Sequence, residues 1–121
     1  FFLGKITPLA RKVYDAVAES QRVAISKIGP GIPAAAVDRE ARNCLKNKGL
    51  SKYFCHSLGH GVGMDIHESP NLSPRSQDIL TPGMVITVEP GVYLPGRFGV
   101  RIEDMVLVTE TGFEILSRHI K

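Results

Sequence analysis

Two glutamates and three histidines have the types and spacing in this sequence that could do chemistry. Glu89 and Glu103 are equidistant from Gly96, the second residue of a Pro95-Gly96 turn signal. In an antiparallel hairpin, residues equidistant from the turn face each other across the two strands. Like charges directly opposite are destabilising, and burial makes the repulsion worse. A cation held between the carboxylates removes it. The structural alternatives are that one carboxylate turns to solvent, or that a bulge near Gly91 breaks the register. His56, His60 and His67 fall within twelve residues. A four-residue spacing on a helix would make His56 and His60 a zinc pair. Gly59, Gly61 and Gly63 make a helix there unfavourable. In an extended strand four residues span roughly 13 Å. His56 and His60 then share a face, but only one of them can ligate a given metal, leaving the other to meet a substrate. The alternative for each histidine is a hydrogen-bonded structural role.

Neighbouring residues narrow the chemistry further. The glycines permit close backbone approach, but there is no Gly-Lys-Ser/Thr and no GxGxxG opening a helix, so no phosphate loop. Neither Ser57 nor Ser69 sits in a nucleophile elbow. Cys55 adjoins His56, but adjacent strand residues point to opposite faces. Glu68 next to His67 should likewise point away, orienting its loop by hydrogen bonds. Arg101 precedes Glu103 by two and shares its strand face. It can pair with a substrate carboxylate or a neighbouring acid, or form a plain surface salt bridge. Asp104 faces the other way and reads as an acid that supports the metal ligands from behind or as a structural acid.

The elements that must position these groups follow from periodicity. Phe1 to Leu3 reads as the tail of a strand ending at Gly4. Thr7-Pro8 is a helix start, a hydroxyl N-cap before a proline. Leu9, Val13, Ala16, Val17, Ala24 and Ile28 recur at helical spacing up to Gly29-Pro30-Gly31. A second helix begins at Ile32-Pro33, buries Val37, Ala41 and Leu45, and is capped by Gly49. Tyr53 to His60 is β-like. Residues 69–83 form a surface loop closing at Thr81-Pro82-Gly83. Met84–Val88, Val92–Leu94, Gly99–Thr109 and Phe113–Leu116 are strands, with turns at Pro95-Gly96 and Thr111-Gly112. The fold class is α+β: two helices packed on an antiparallel sheet.

Composition bounds the partners. The 121 residues, 43% hydrophobic and 22% charged, suit one globular domain rather than a disordered chain. No apolar run approaches the ~20 residues of a membrane helix. Residues 1–52 carry ten Lys/Arg and four Asp/Glu; residues 53–121 carry five and eight, with all four histidines. A basic front half could suit nucleic acid. Its charges (Arg11, Lys12, Arg22, Lys27, Arg39, Arg42, Lys46 and Lys48) instead sit on helices without interleaved aromatics, as a solvated face does. No nucleic acid and no membrane is therefore expected as a partner. The acidic, histidine-bearing half is where a cation belongs. Cys44 and Cys55 lack disulfide or CxxC spacing and read as two buried free thiols of a cytoplasmic protein.

Four ordered motifs carry a resemblance. They are His56-Ser57-Leu58-Gly59-His60-Gly61-Val62-Gly63, His67-Glu68-Ser69-Pro70, Val88-Glu89-Pro90-Gly91 and Gly99-Val100-Arg101-Ile102-Glu103-Asp104. Over nearly the whole chain they resemble the C-terminal half of the catalytic domain of pita-bread (creatinase/aminopeptidase fold) metallopeptidases. Within these the chain is similar to the Xaa-Pro group, aminopeptidase P and Xaa-Pro dipeptidase (prolidase). Methionine aminopeptidases share two of the motifs but place their last metal glutamate in a Glu-His-Thr context, unlike Arg101-Ile102-Glu103-Asp104.

The resemblance implies hydrolysis of Xaa-Pro bonds in proline-containing peptides by a site of two divalent ions, Mn, Co or Zn. It implies His60, Glu89 and Glu103 as metal ligands, with Glu103 bridging and Glu89 also moving the proton. His67 would steady the substrate or the tetrahedral intermediate. His56 and Arg101 would line the pocket on the proline side. The family's two aspartate ligands have no match here; Asp15, Glu19, Asp38 and Glu40 all fall on predicted helices. Residues 1–121 are thus expected to be a single domain and part of a larger catalytic domain, with an incomplete site, weak metal binding and little activity alone. Sheet edges left without the other half invite homo-oligomers. The alternatives are a non-catalytic pita-bread binding scaffold, which would typically have lost the His and Glu ligands, and another hydrolase of the same fold, creatinase-like or methionine-specific.

Overall fold

The computed structural model describes residues 7–63 and 70–117. Helix α1 spans Pro8–Ser26, and its first turn is closed by Thr7, whose side chain accepts a hydrogen bond from the Ala10 N–H at 3.0 Å. Helix α2 spans Ala34–Asn47, with Pro33 as its N-cap and Gly49 at φ 73° past its end. Val13, Ala16, Val17, Ala24 and Ile28 are buried, as are Val37, Ala41 and Leu45. Each helix therefore turns the expected stripe inward; Leu9 is only partly buried.

The strands are β1 Gly59–His60, β2 Asn71–Leu72, β3 Val85–Val88, β4 Gly91–Leu94, β5 Phe98–Arg101, β6 Asp104–Val108 and β7 Phe113–Ile115. All pairings are antiparallel: β1 with β2, β3 with β6, β6 with β7, and β4 with β5. Helix α1 packs on β3, β4 and β5, and α2 packs on α1 and β2. The core lies between these layers, where Val17, Val37 and Leu45 meet Leu58, Leu72, Ile86, Val88, Val92 and Val106.

Two expectations are corrected. The stretch from Tyr53 to His60 is a 3-10 turn at Ser51–Tyr53, an irregular segment and a two-residue strand. The predicted strand Gly99–Thr109 is two strands, β5 and β6. Proline explains the second break. The register holds every pair equidistant from Gly96 on both sides of the gap, Val88 opposite Asp104 and Gly91 opposite Arg101. Between them Ile102 donates its N–H to the Pro90 carbonyl at 3.2 Å, and Pro90 has no N–H to return. Gly96, at φ 72°, makes the turn at the hairpin tip.

The cysteines also differ from expectation. Both are free thiols, but Cys44 is half-buried and Cys55 is exposed. Arg42 departs from the solvated helix face and is tied to the core through Asp38.

Candidate functional site

Residues at even positions of the long hairpin face the core: Ile86, Val88, Val92, Val100, Val106 and Val108 are buried. By strand alternation Glu89, Tyr93, Arg101 and Glu103 lie on the opposite face. The unbroken register sets Glu89 opposite Glu103. The Ile102-to-Pro90 bond marks the neighbouring pair as the hydrogen-bonded one. Glu89 and Glu103 then form a non-hydrogen-bonded pair, the type with Cα atoms about 4.5 Å apart and side chains closest together.

Strand β1 brings a histidine to this face. The Glu89 N–H donates to the Leu58 carbonyl at 2.8 Å, the His60 N–H to Thr87 Oγ1 at 3.0 Å, and the Val62 N–H to the Val85 carbonyl at 2.8 Å. The approach requires glycine at residue 59, where a Cβ would stand 1.8 Å from the Thr87 carbonyl oxygen. As a result His60 Nε2 lies 3.7 Å from Glu89 Oε2. His60 Nδ1 is 2.8 Å from the Gly61 carbonyl oxygen. A carbonyl only accepts, so Nδ1 donates there and Nε2 is the ring nitrogen turned toward Glu89. With Nε2 as the acceptor, a cation between it and the Glu89 carboxylate would be held by both. Imidazole nitrogen with carboxylate oxygen is a donor set that fits Mn, Co or Zn. Among the described residues no three acidic, His or Cys side chains converge as a ligand cluster. The side chains of His60 and Glu89 are brought together, and Glu103 faces Glu89 by register while its side chain is exposed.

His56 is engaged elsewhere. Its Nδ1 donates to the Ser57 carbonyl at 2.8 Å, and its Nε2 accepts from the Tyr93 hydroxyl at 2.9 Å. Its ring stands edge-on to Phe54, centroids 5.1 Å apart. The two histidines therefore have separate partners. Arg101 is exposed, and no ion pair joins it to an acid among the described residues. Asp104 is buried and accepts a hydrogen bond from Ser117 Oγ, consistent with a structural acid. His67, Glu68 and the Phe1–Gly4 segment lie outside the described residues.

Sequence reasoning missed three supports. Tyr93 lies across Gly91 and Gly99, where any Cβ would collide with its ring. Its place four residues after Glu89, on the same strand face, was the available signal. Asp38 and Arg42 form a bidentate pair at 2.9 and 3.0 Å. Arg42 also donates to the carbonyls of Phe54 and His56, both at 3.1 Å, and Asp38 accepts the Leu58 N–H at 3.1 Å. The pair thereby grips the segment leading into β1. Its i, i+4 spacing beside buried Val37 and Ala41 was the sign. Gln21, buried on α1, is the third.

Comparison with known proteins agrees with this architecture. The family model for metallopeptidase family M24 matches residues 1–110. An uncharacterized peptidase of Staphylococcus aureus strain USA300 is 46% identical over 118 residues, 98% of this chain and 34% of the relative. The prolidase from Pyrococcus furiosus superposes with a TM-score of 0.93 at 45% identity, over 97% of this chain and 35% of that one. The Xaa-Pro dipeptidase from Bacillus anthracis gives 0.92 at 41% identity, over 96% and 33%. The chain spans about a third of the length of the relatives it matches. The two helices on antiparallel sheets are the expected C-terminal half of the pita-bread fold.

Proposed function

The chain belongs to metallopeptidase family M24, and we propose that the protein carrying it hydrolyses Xaa-Pro peptide bonds in a metal-dependent reaction. The observation that carries this reading is the pairing of His60 Nε2 with Glu89 Oε2 at 3.7 Å on the face shared with Glu103. His60, Glu89 and Glu103 would hold divalent ions, Mn, Co or Zn. When bound, such ions supply Lewis acidity toward the scissile carbonyl and toward water. Glu89 takes the proton released as water attacks and passes it on toward the leaving amine. His67 steadies the charge that develops on the carbonyl oxygen. His56, held by Tyr93, lines the proline side of the pocket. Arg101, with no acid paired to it among the described residues, offers its guanidinium to a substrate carboxylate.

Three ligands come from this chain, so alone it binds metal weakly and is inactive or nearly so. Sheet edges provide a route to self-association. The free thiols suit a cytoplasmic protein, and no helix among the described residues is long and apolar enough to cross a membrane.

The test is a count of bound Mn2+ per chain together with hydrolysis of Xaa-Pro peptides, for the whole protein and for residues 1–121. The whole protein should bind Mn2+ and cleave Xaa-Pro peptides, and lose both in Glu89→Ala and Glu103→Ala. Metal binding and cleavage that survive both substitutions would overturn the site. Robust cleavage by the 121-residue chain would overturn its expected inactivity.

A further inference from the structure

Gln21 sits in the apolar stripe of α1, four residues after Val17 and three before Ala24, and is buried against the sheet. Its Nε2 lies 3.1 Å from the Val88 carbonyl oxygen and 3.4 Å from that of Ile102. These residues immediately precede Glu89 and Glu103. One carboxamide nitrogen, with two hydrogens, therefore ties the two strands together beside the facing glutamates.

The interrupted ladder explains why a donor is needed there. Ile102 gives its N–H to Pro90, but proline cannot reciprocate. The Ile102 carbonyl thus loses the partner that any other residue at position 90 could supply. The Ile102 carbonyl is partly buried, where a missing donor is costly, and Gln21 supplies the missing hydrogen from the helix layer. Methionine would fill the same space without donating. Glutamate would set lone pairs against two carbonyl oxygens.

We propose that Gln21 is a positioning residue for the Glu89–Glu103 pair. Its carboxamide replaces the hydrogen bond that Pro90 cannot make, sets the strand separation at the break, and so fixes the distance between the two carboxylates. The functional consequence rests on the reading that these carboxylates hold a divalent ion.

The test compares the whole wild-type protein with Gln21→Met and Gln21→Glu by two readouts. The first is amide hydrogen exchange in the metal-free protein. Exchange at Ile102 and Glu89 should quicken about tenfold or more in Gln21→Met, while Val106 within β6 keeps its rate. The second is Mn2+ affinity by equilibrium dialysis, which should fall about 10- to 100-fold, the range for removing a group that orients a metal ligand, and further in Gln21→Glu. Pro90→Ala returns an N–H to the Ile102 carbonyl, so Gln21→Met should cost less affinity in that background. Unchanged exchange at Ile102 and Glu89 overturns the proposal whether or not metal binds. So does unchanged Mn2+ affinity in both Gln21 variants when Glu89→Ala abolishes binding. If Glu89→Ala and Glu103→Ala leave Mn2+ binding intact, the metal-site reading fails by itself, and the exchange result still decides the strand clamp. If Gln21→Met does not fold, the comparison moves to the Pro90→Ala background; failure to fold there too makes Gln21 a bulk core residue and overturns the proposal.

Discussion

Gly59 passes so close to Thr87 that a methyl group on it would stand 1.8 Å from the Thr87 carbonyl oxygen and 2.9 Å from Oγ1. The contact is with backbone, which cannot rotate away as a flexible side chain would. Gly59→Ala should therefore force β1 off β3, at the upper end of the ~1–3 kcal/mol typical of overpacking. Urea denaturation would read it as a lower midpoint with an unchanged slope. A midpoint equal to wild type would mean that the two strands separate without penalty. Because His60 follows directly, the same variant should also weaken metal binding.

The helices were legible because their information is local. Thr7-Pro8, the stripe Val37, Ala41 and Leu45, and Gly49 each act within a turn or two of their own position. The facing of Glu89 and Glu103 was legible as well, because a tight turn at Gly96 makes register a matter of counting. What escaped depends on distant partners. The hydrogen that Pro90 withholds from Ile102 comes from Gln21, 81 residues earlier. Arg42 reads as one more exposed helix charge until Asp38 and the carbonyls of Phe54 and His56 are in place. Tyr53–His60 alternates like a strand, but only Gly59 and His60 enter a ladder, and Leu58 just before them makes single bonds to Leu72 and Glu89.

The Tyr93 hydroxyl is the hydrogen donor to His56 Nε2 at 2.9 Å. Tyr93→Phe keeps the ring over Gly91 and Gly99 and deletes only that bond. A typical net hydrogen-bond contribution of ~0.5–1.5 kcal/mol corresponds to about a two- to tenfold fall in kcat/KM on an Xaa-Pro dipeptide if His56 must hold its orientation against substrate. Stability should change little. Wild-type kinetics in Tyr93→Phe would show that His56 is oriented by Ser57 and Phe54 alone.

The two thiols should differ in reactivity. Burial pushes the Cys44 thiol above its ordinary pKa, and the neighbouring Glu19 carboxylate pushes the same way. Less of it is thiolate near pH 8, and the thiolate is the nucleophile. Cys55 is exposed. Limited iodoacetamide at pH 8, followed by peptide mass spectrometry, should label Cys55 several-fold faster. Equal labelling would mean that α1 and α2 open readily around Cys44. Glu19→Gln removes one of the two causes, so it should raise the Cys44 rate and narrow the difference.

Asp38 and Arg42 should prove the most sensitive polar pair. The Asp38 side chain is fully buried, whereas that of Arg42 is 28% exposed. Their substitutions are therefore unequal. Arg42→Met leaves an uncompensated buried carboxylate and should cost about 3–5 kcal/mol. Asp38→Asn keeps an acceptor for the Leu58 N–H, and the stranded guanidinium still reaches solvent and the carbonyls of Phe54 and His56. Its cost should be smaller, about 1–3 kcal/mol. The double variant should cost less than the two singles together, since each removes the same bidentate contact. Denaturant unfolding of all four proteins closes this cycle. Strict additivity would mean that the pair does not act as a unit, and that the segment carrying His56 into β1 is held by its backbone hydrogen bonds alone.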